Sequence, residues 1–103
     1  MNFKKDFCLY YYKWNKDKNK QLKQERNITF EEVVNSINND KVVDIIDNPS
    51  SNFDKQKCFV VEINNYMWVV PYVENKKERF LKTAFPSRKH QKIYFNNERL
   101  YDE

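Results

Sequence analysis

The sequence of 103 residues contains no glycine. A glycine-rich phosphate-binding loop is therefore excluded, and backbone positions with positive φ fall mainly to asparagine. Histidine is nearly as scarce, because His90 is the only one. Catalytic triads and histidine-based metal sites are thus not indicated, and the sequence predicts neither a metal nor a cofactor.

Cysteine and long hydrophobic runs are also rare. Cys8 and Cys58 form no CxxC motif, and we expect two thiols buried in strands rather than a disulfide or a zinc site. No apolar run approaches the length that spans a membrane, and the opening residues lack the apolar core of a signal peptide. We therefore expect a cytoplasmic protein that does not bind membranes.

The charge balance is positive, with a net charge of +4 and a pI near 9.0. This favours polyanionic partners without naming one. Of the nineteen basic residues only four are arginine, namely Arg26, Arg79, Arg88 and Arg99. An arginine in such a lysine-rich chain is informative, because its rigid fork binds phosphate through two hydrogen bonds where lysine offers a point charge.

The patterning predicts one domain over residues 1–103 with the element order β-α-α-β-β-β-β-α. Strands are predicted at 7–14, 41–47, 57–63, 66–74 and 79–86, and helices at 15–26, at 29–38 and from residue 87 onward. The length suits a single core, and the 17% aromatic content supplies large side chains for it. The expected class is α+β, an antiparallel sheet with helices packed on it.

Local signals fix the ends of several elements. Asn15 is a predicted N-cap with Leu22 holding the helix that follows, and Thr29 and Glu32 have the spacing of a capping box. Asn64-Asn65 is a predicted two-residue hairpin turn, and Pro71 suggests a bulge or an unpaired position in its strand. In the last helix, capped by Ser87, inward-facing residues are expected at Ile93, Tyr94 and Leu100.

The candidate functional residues are cations near the C-terminus. Arg88, Lys89 and His90 stand at the start of a helix, where positive charge opposes the helix dipole. A bound phosphate would offset that cost, and so would a nearby carboxylate such as Glu78. If 79–86 is one extended strand, Arg79 and Lys82 point to opposite faces, and the sequence does not say which faces a site.

A second basic stretch lies in the first helix. Lys16, Lys20 and Lys23 recur at i, i+4 and i+7 and form one stripe, which is either an RNA-binding surface or an ordinary solvated face.

Two segments resemble BrnT-type toxins. "YKWNKDKNKQLKQERNITFEEVV" is similar to that family's opening, and "FLKTAFPSRK" to its closing strand and Ser-Ala-Arg-Lys segment. The likeness spans roughly residues 10 to 95. The matching residues are Tyr12, Trp14, Asn15, Lys18, Thr29, Phe30, Glu31, Glu32, Arg88 and Lys89. One departure is Glu25-Arg26-Asn27, which stands where the family has Lys-His-Gly.

The resemblance implies a RelE/ParE-like fold and the toxin half of a type II toxin–antitoxin system. Such a toxin is implied to be a metal-independent endoribonuclease, neutralised by a cognate antitoxin that binds DNA, so that this chain contacts DNA only through that complex. Arg88 and Tyr94 are also similar to the Arg…Tyr pair near the C-terminus of RelE-like toxins.

On this hypothesis RNA is cleaved by attack of the ribose 2′-OH, and cations stabilise the phosphorane. Arg88 takes that role, with Arg79 or Lys82 as the second cation, and cleavage is expected to persist in EDTA. Tyr94 stacks a base or donates its hydroxyl, or else is a core aromatic. Lys89 and His90 bind RNA, with His90 either an acid or base or simply polar surface.

Two alternative functions stay open from the sequence. One is a non-catalytic nucleic-acid or partner-binding module of the same fold, and the other is a ParE-like poison of a protein target.

Overall fold

A computed structural model describes residues 10–47 and 56–93. In chain order the elements are β1 (Tyr11–Trp14), α1 (Lys16–Arg26), α2 (Phe30–Asn38), β2 (Val42–Asp47), β3 (Gln56–Ile63), β4 (Tyr66–Asn75), β5 (Glu78–Leu81), β6 (Phe85–Pro86) and α3 (Arg88–Gln91). The domain is α+β, with three helices packed on one sheet. The predicted order is confirmed up to β5, where the structure has two short strands in place of one.

The sheet is mixed, so the prediction of an antiparallel sheet was wrong at one edge. Its strands lie in the order β1-β5-β4-β3-β2, and β6 pairs with β4. The strands from β2 to β6 pair antiparallel, but β1 runs parallel to β5, with Tyr12 opposite Arg79. Alternation in a sequence shows which residues of a strand share a face. It does not show which strand lies beside it or whether the two strands run parallel or antiparallel.

The two longer helices begin as their sequences predict. The Asn15 side chain accepts the Lys18 N–H at 3.0 Å. Thr29 and Glu32 form a complete capping box, with each side chain bound to the other residue's backbone N–H. These caps satisfy donors that a helix leaves unpaired in its first turn.

The main core lies between these helices and one face of the sheet. Leu22 is the buried anchor of α1, and α2 buries Phe30, Val33 and Ile37, as predicted. Trp14 stacks on Phe30 with ring centroids 5.7 Å apart. A smaller cluster on the opposite face consists of Cys58, Val60, Met67 and Val69, with Ile46 packed against it.

Asparagine takes the place of glycine at three left-handed positions. Asn64 and Asn65 have φ of 54° and 66° in the β3–β4 hairpin, as predicted. Asn27, with φ 58°, ends α1 and donates its backbone N–H to the Lys23 carbonyl. This is the position of the glycine in the resembled Lys-His-Gly, so asparagine supplies the conformation that a C-cap glycine provides. Asp40 and Lys76 also have positive φ.

Pro71 explains why the predicted strand 79–86 is broken. Its carbonyl accepts the Lys82 N–H at 2.8 Å, so its amide nitrogen, which carries no hydrogen, also faces the side of β5 and β6. β5 pairs with β4 from Tyr72 onward and β6 pairs with Trp68 and Val69, which leaves residues 82–84 outside regular pairing. The predicted bulge or unpaired position is therefore an unpaired one.

The break also changes which side chains point inward. Continuous alternation would place Ala84 on the face of Phe80 and Lys82, but Ala84 is fully buried in the main core beside Leu81. Ile93, predicted to face inward, is instead 42% exposed. Tyr94, Leu100 and Cys8 lie outside the described residues. Cys58 is a buried free thiol, as predicted, and burial raises its pKa.

Candidate nucleic-acid interface

Helix α3 is fixed to the start of β4 by hydrogen bonds to one residue. The Met67 carbonyl accepts the Ser87 N–H at 2.9 Å, and the Met67 N–H donates to Gln91 Oε1 at 2.9 Å. Between these two anchors Arg88 and Lys89 are both exposed. The fold therefore holds their Cα positions while leaving their charged ends open to a ligand.

Ser87 caps α3 as predicted, and it engages His90 as it does so. Its hydroxyl accepts the His90 N–H at 3.3 Å and lies 2.7 Å from Nδ1 of the same imidazole. His90 is half-buried. One ring nitrogen is thus occupied within the cap, which restrains the imidazole next to Arg88 and Lys89.

Lys82 lies in the segment that continues β5, and its side chain is exposed. It follows the last residue of β5, and its backbone N–H is held by the Pro71 carbonyl. Pro71 lies four residues along β4 from Met67, which is about 13 Å at the usual strand rise. The backbone of Lys82 and the backbone next to Arg88 are thus hydrogen-bonded to points about 13 Å apart on β4. A short single strand of RNA can span that distance.

An open groove of ≈ 640 Å³ lies beside Lys82. Its walls come from the first turns of α1 and from β5 with its continuation. The lining residues are Asn15, Asp17, Lys18, Gln21, Phe80 and Lys82. The Lys82 ammonium lies 5.6 Å from the centroid of the Phe80 ring, so an aromatic surface and a cation stand together here. We call this the Phe80 groove.

Arg79 occupies a different environment from Lys82. It is 7% exposed, and its Nε donates to Glu74 Oε1 at 3.0 Å while its Nη1 donates to the Tyr12 hydroxyl at 2.9 Å. The guanidinium carbon lies 3.6 Å from the Tyr10 ring centroid, and the rings of Phe59 and Tyr72 are within 6 Å.

The position of Arg79 also separates it from Arg88. It pairs with Glu74, seven residues along β4 from Met67, or about 23 Å. The structure therefore places the buried Arg79 in an ion pair with the partly exposed Glu74 near the far end of β4, whereas Lys82 is anchored to β4 at a point nearer to Arg88.

Several residues of the BrnT-like segments have roles in folding. Asn15, Thr29 and Glu32 cap helices, while Trp14 and Phe30 stack in the core. Glu31 accepts a hydrogen bond from Asn19 Nδ2 at 2.9 Å, which ties α2 to α1. Lys18, Arg88 and Lys89 have no such structural contact through their side chains within residues 10–47 and 56–93.

The lysine stripe of α1 does not border the Phe80 groove. Lys16, Lys20 and Lys23 are exposed, but the groove is lined by Asp17, Lys18 and Gln21, which occupy another side of the same helix. Arg26, at the histidine position of the resembled motif, donates to the Ala84 carbonyl at 3.1 Å. It thereby fastens the unpaired segment after Lys82 to α1.

Phe80 was not singled out by sequence reasoning as a functional residue. The signal was present, since alternation in "ERFLK" puts Phe80 and Lys82 on one side of the strand. A lone aromatic in a strand is usually assigned to the core, and here that place belongs to Leu81.

In the described ranges no three His, Cys, Asp or Glu side chains are grouped so that they could hold a metal ion. Among the helices of the same ranges, none is long and apolar enough to cross a membrane.

Comparison with protein-family models, with curated proteins and with solved structures gives no match in any of the three.

Proposed function

We propose that this protein is an RNA-cleaving toxin of the BrnT type, with a RelE/ParE-like fold, that works in the cytoplasm and is held inactive by a cognate DNA-binding antitoxin. The order of the two BrnT-like segments supports it, because the fold brings the first into contact with the second through Arg26 and Ala84. The observation that carries the proposal is the pair of exposed cations, Lys82 and Arg88, mounted along β4. No salt bridge inside the described part of the chain engages either one.

The proposed reaction needs charge and proton transfer but no metal. The ribose 2′-OH attacks the adjacent phosphorus, the bond from phosphorus to the 5′-oxygen breaks, and the products are a 2′,3′-cyclic phosphate and a 5′-OH. Arg88 stabilises the pentacovalent phosphorane through its two-pronged hydrogen bonding. Lys82 is the second cation, and it holds the same RNA strand at a phosphate farther along β4. Arg79 is not given this role, because it is buried and two of its N–H groups already donate to Glu74 and Tyr12.

Proton transfer and RNA binding complete the proposal. His90 is the candidate acid or base, held beside Arg88 by its contact with Ser87, and Lys89 adds positive charge for the RNA backbone. Tyr94 keeps its proposed role as a stacking or hydroxyl-donating residue. Lys16, Lys20 and Lys23 provide a separate basic surface that extends RNA contact along α1.

Expression in cells tests the proposal directly. Wild type is expected to arrest growth, and Arg88→Ala is expected to be tolerated at the same soluble level. Lys77→Ala is the matched control, since Lys77 is an exposed cation in the β4–β5 turn, far from α3, and this variant should arrest growth like wild type. Equal toxicity of wild type and Arg88→Ala removes Arg88 from the mechanism. If wild type allows normal growth and leaves RNA intact, the toxin assignment falls.

A further inference from the structure

The Phe80 groove combines features that suit a nucleobase and its phosphate, and this combination deepens the proposed function. Resting on RNA as the substrate, we infer that Phe80, Lys18 and Lys82 form a subsite in which one unpaired base of a single-stranded RNA stacks on the Phe80 ring. Lys82 and Lys18 then bind the phosphates beside that base.

The position of Phe80 leaves its ring available to a ligand. It pairs with Lys13 on β1 and with Val73 on β4, and alternation along β5 directs its side chain to the side opposite Leu81, where it lines the groove. Leu81, the next residue, fills the main core and is fully buried, while Phe80 is only partly buried. The ring is therefore not needed to complete the main core.

Charge around the ring favours a nucleotide over other aromatic ligands. Lys82 lies 5.6 Å from the ring centroid, and Lys18 lines the same groove from α1. Asp17 also lines it, which leaves a net charge of +1 from these three groups. A free inorganic phosphate would meet that carboxylate, whereas a nucleotide puts its base in the groove and its phosphates toward the lysines.

The size and openness of the groove suit a single-stranded chain. A volume of ≈ 640 Å³ lies within the range of small-ligand sites and admits a nucleotide. Because the groove is open to solvent, the RNA chain can continue from it along β4 toward Arg88. Stacking on an aromatic ring tolerates any base, so this subsite supplies affinity and position rather than sequence selection.

Binding is tested with a fluorescently labelled single-stranded RNA that carries 2′-O-methyl groups throughout and so cannot be cleaved by 2′-OH attack. Fluorescence anisotropy is expected to show that Phe80→Ala weakens binding roughly 5- to 150-fold, the range of one lost base–aromatic stack. Phe80→Trp is expected to retain wild-type affinity. Phe80→Leu keeps an apolar side chain but no ring, so it is expected to lose affinity like Phe80→Ala while remaining folded.

Two further comparisons separate stacking from charge. RNA with abasic sites is expected to bind wild type more weakly and to show no difference between wild type and Phe80→Ala. Lys82→Ala is expected to flatten the dependence of log Kd on log salt by about 0.7, the contribution of one phosphate contact on a single strand. Lys77→Ala, the control from the opposite end of β5, should leave both affinity and slope unchanged.

The outcomes distinguish this subsite from the proposed reaction. If Phe80→Leu is folded and binds RNA as tightly as wild type, the subsite is wrong, even if the toxin still cleaves RNA through Arg88. Binding that depends on Phe80 in a protein that neither cleaves RNA nor arrests growth supports the subsite and removes the reaction.

Discussion

The guanidinium of Arg79 and the hydroxyl of Tyr12 lie 2.9 Å apart and join the parallel edge strand β1 to β5. Burial raises the pKa of Tyr12 above its ordinary value of 10.0, although the hydrogen bond and charge of Arg79 oppose that shift. Burial alone would lower the pKa of Arg79, but Tyr12 and Glu74 outweigh it and raise that pKa. At neutral pH both groups are therefore protonated, and the charged guanidinium donates to the neutral hydroxyl.

Removal of Arg79 is expected to destabilise the fold. Arg79→Met should lower the free energy of unfolding by about 1.5–3 kcal/mol, because Glu74 and the Tyr12 hydroxyl both lose a charged donor. Tyr12→Phe should cost less, about 1 kcal/mol, since Arg79 then still binds Glu74. Urea unfolding measures both values, with Lys77→Ala as the control. If Arg79→Met is as stable as wild type yet no longer arrests growth, Arg79 acts in the reaction and not in the fold.

Sequence alone could not separate Arg79 from Lys82. Alternation correctly indicates opposite faces for two residues three apart, but the burial of Arg79 depends on β1 lying beside β5. That pairing joins residues far apart in sequence and leaves no local signal. The break opposite Pro71, after which Ala84 turns into the main core, depends on which side of β4 the proline faces. The sequence shows that the proline lacks an N–H donor, but it does not show which neighbouring strand lies on that side of β4.

Helix ends and the hairpin, by contrast, follow from a few neighbouring residues. The Thr29–Glu32 capping box and the Asn64-Asn65 turn rest on contacts within three or four positions, so sequence predicts them well. The site lies between these extremes. The mounting of Arg88 by Ser87 was predictable, whereas the groove that joins Phe80 to α1 needed the fold.

The glycine-free composition leaves one turn with a residue that is poorly suited to it. Lys76 has φ 60° in the β4–β5 turn, where a Cβ atom costs about 1–2 kcal/mol. Lys76→Gly removes that cost but gains flexibility in the unfolded chain, so a net stabilisation of about 0.5–1 kcal/mol is expected.

The neighbouring residue provides the control for this prediction. Lys77 is not among the described residues with positive φ, so Lys77→Gly has no steric cost to relieve and should destabilise by up to about 1 kcal/mol. Thermal unfolding of the two variants measures the difference. Equal shifts of Tm in the same direction would mean that the backbone at Lys76 is not held in the left-handed region.

The contact between Asn19 and Glu31 predicts a dependence of stability on pH. The hydrogen bond from Asn19, followed by the backbone N–H of Glu31, lowers the pKa of Glu31 below its ordinary value of 4.5. The folded state therefore favours the carboxylate. Its contribution is fully present above the unfolded pKa, and it is lost as the pH falls through the lower folded pKa.

Glu31→Gln is expected to lower the free energy of unfolding at pH 7 by about 0.5 kcal/mol, because a charged group in the first turn of α2 is lost. The gap to wild type should close as the solution is acidified from about pH 4.5 downward. Glu25→Gln, near the C-terminal end of α1, is the matched control and should show no such loss at pH 7. A gap of equal size at pH 7 and at pH 3 would contradict the ionisation argument.

The proposed antitoxin is expected to compete with RNA for Lys82 and Arg88. Arg79 is buried and cannot take part, so acidic or apolar groups of the inhibitor must reach the two exposed cations. Lys82→Glu and Arg88→Glu should each weaken antitoxin binding by at least tenfold, while Lys77→Glu should leave it nearly unchanged. The affinity for wild type should also fall with rising salt, because opposite charges contribute to it.

Strand addition is a second way for the antitoxin to dock, and the same measurements separate it from charge pairing. Among the described residues, β1 and β2 lie at the two ends of the strand order, and β2 carries the exposed Val43 and Ile45. Backbone hydrogen bonds and apolar contacts at such an edge depend little on salt. Calorimetry over a series of salt concentrations therefore shows which surface supplies the affinity. If the complex with antitoxin still cleaves RNA at the rate of the toxin alone, the inhibitor lies on an edge strand and leaves both Lys82 and Arg88 open.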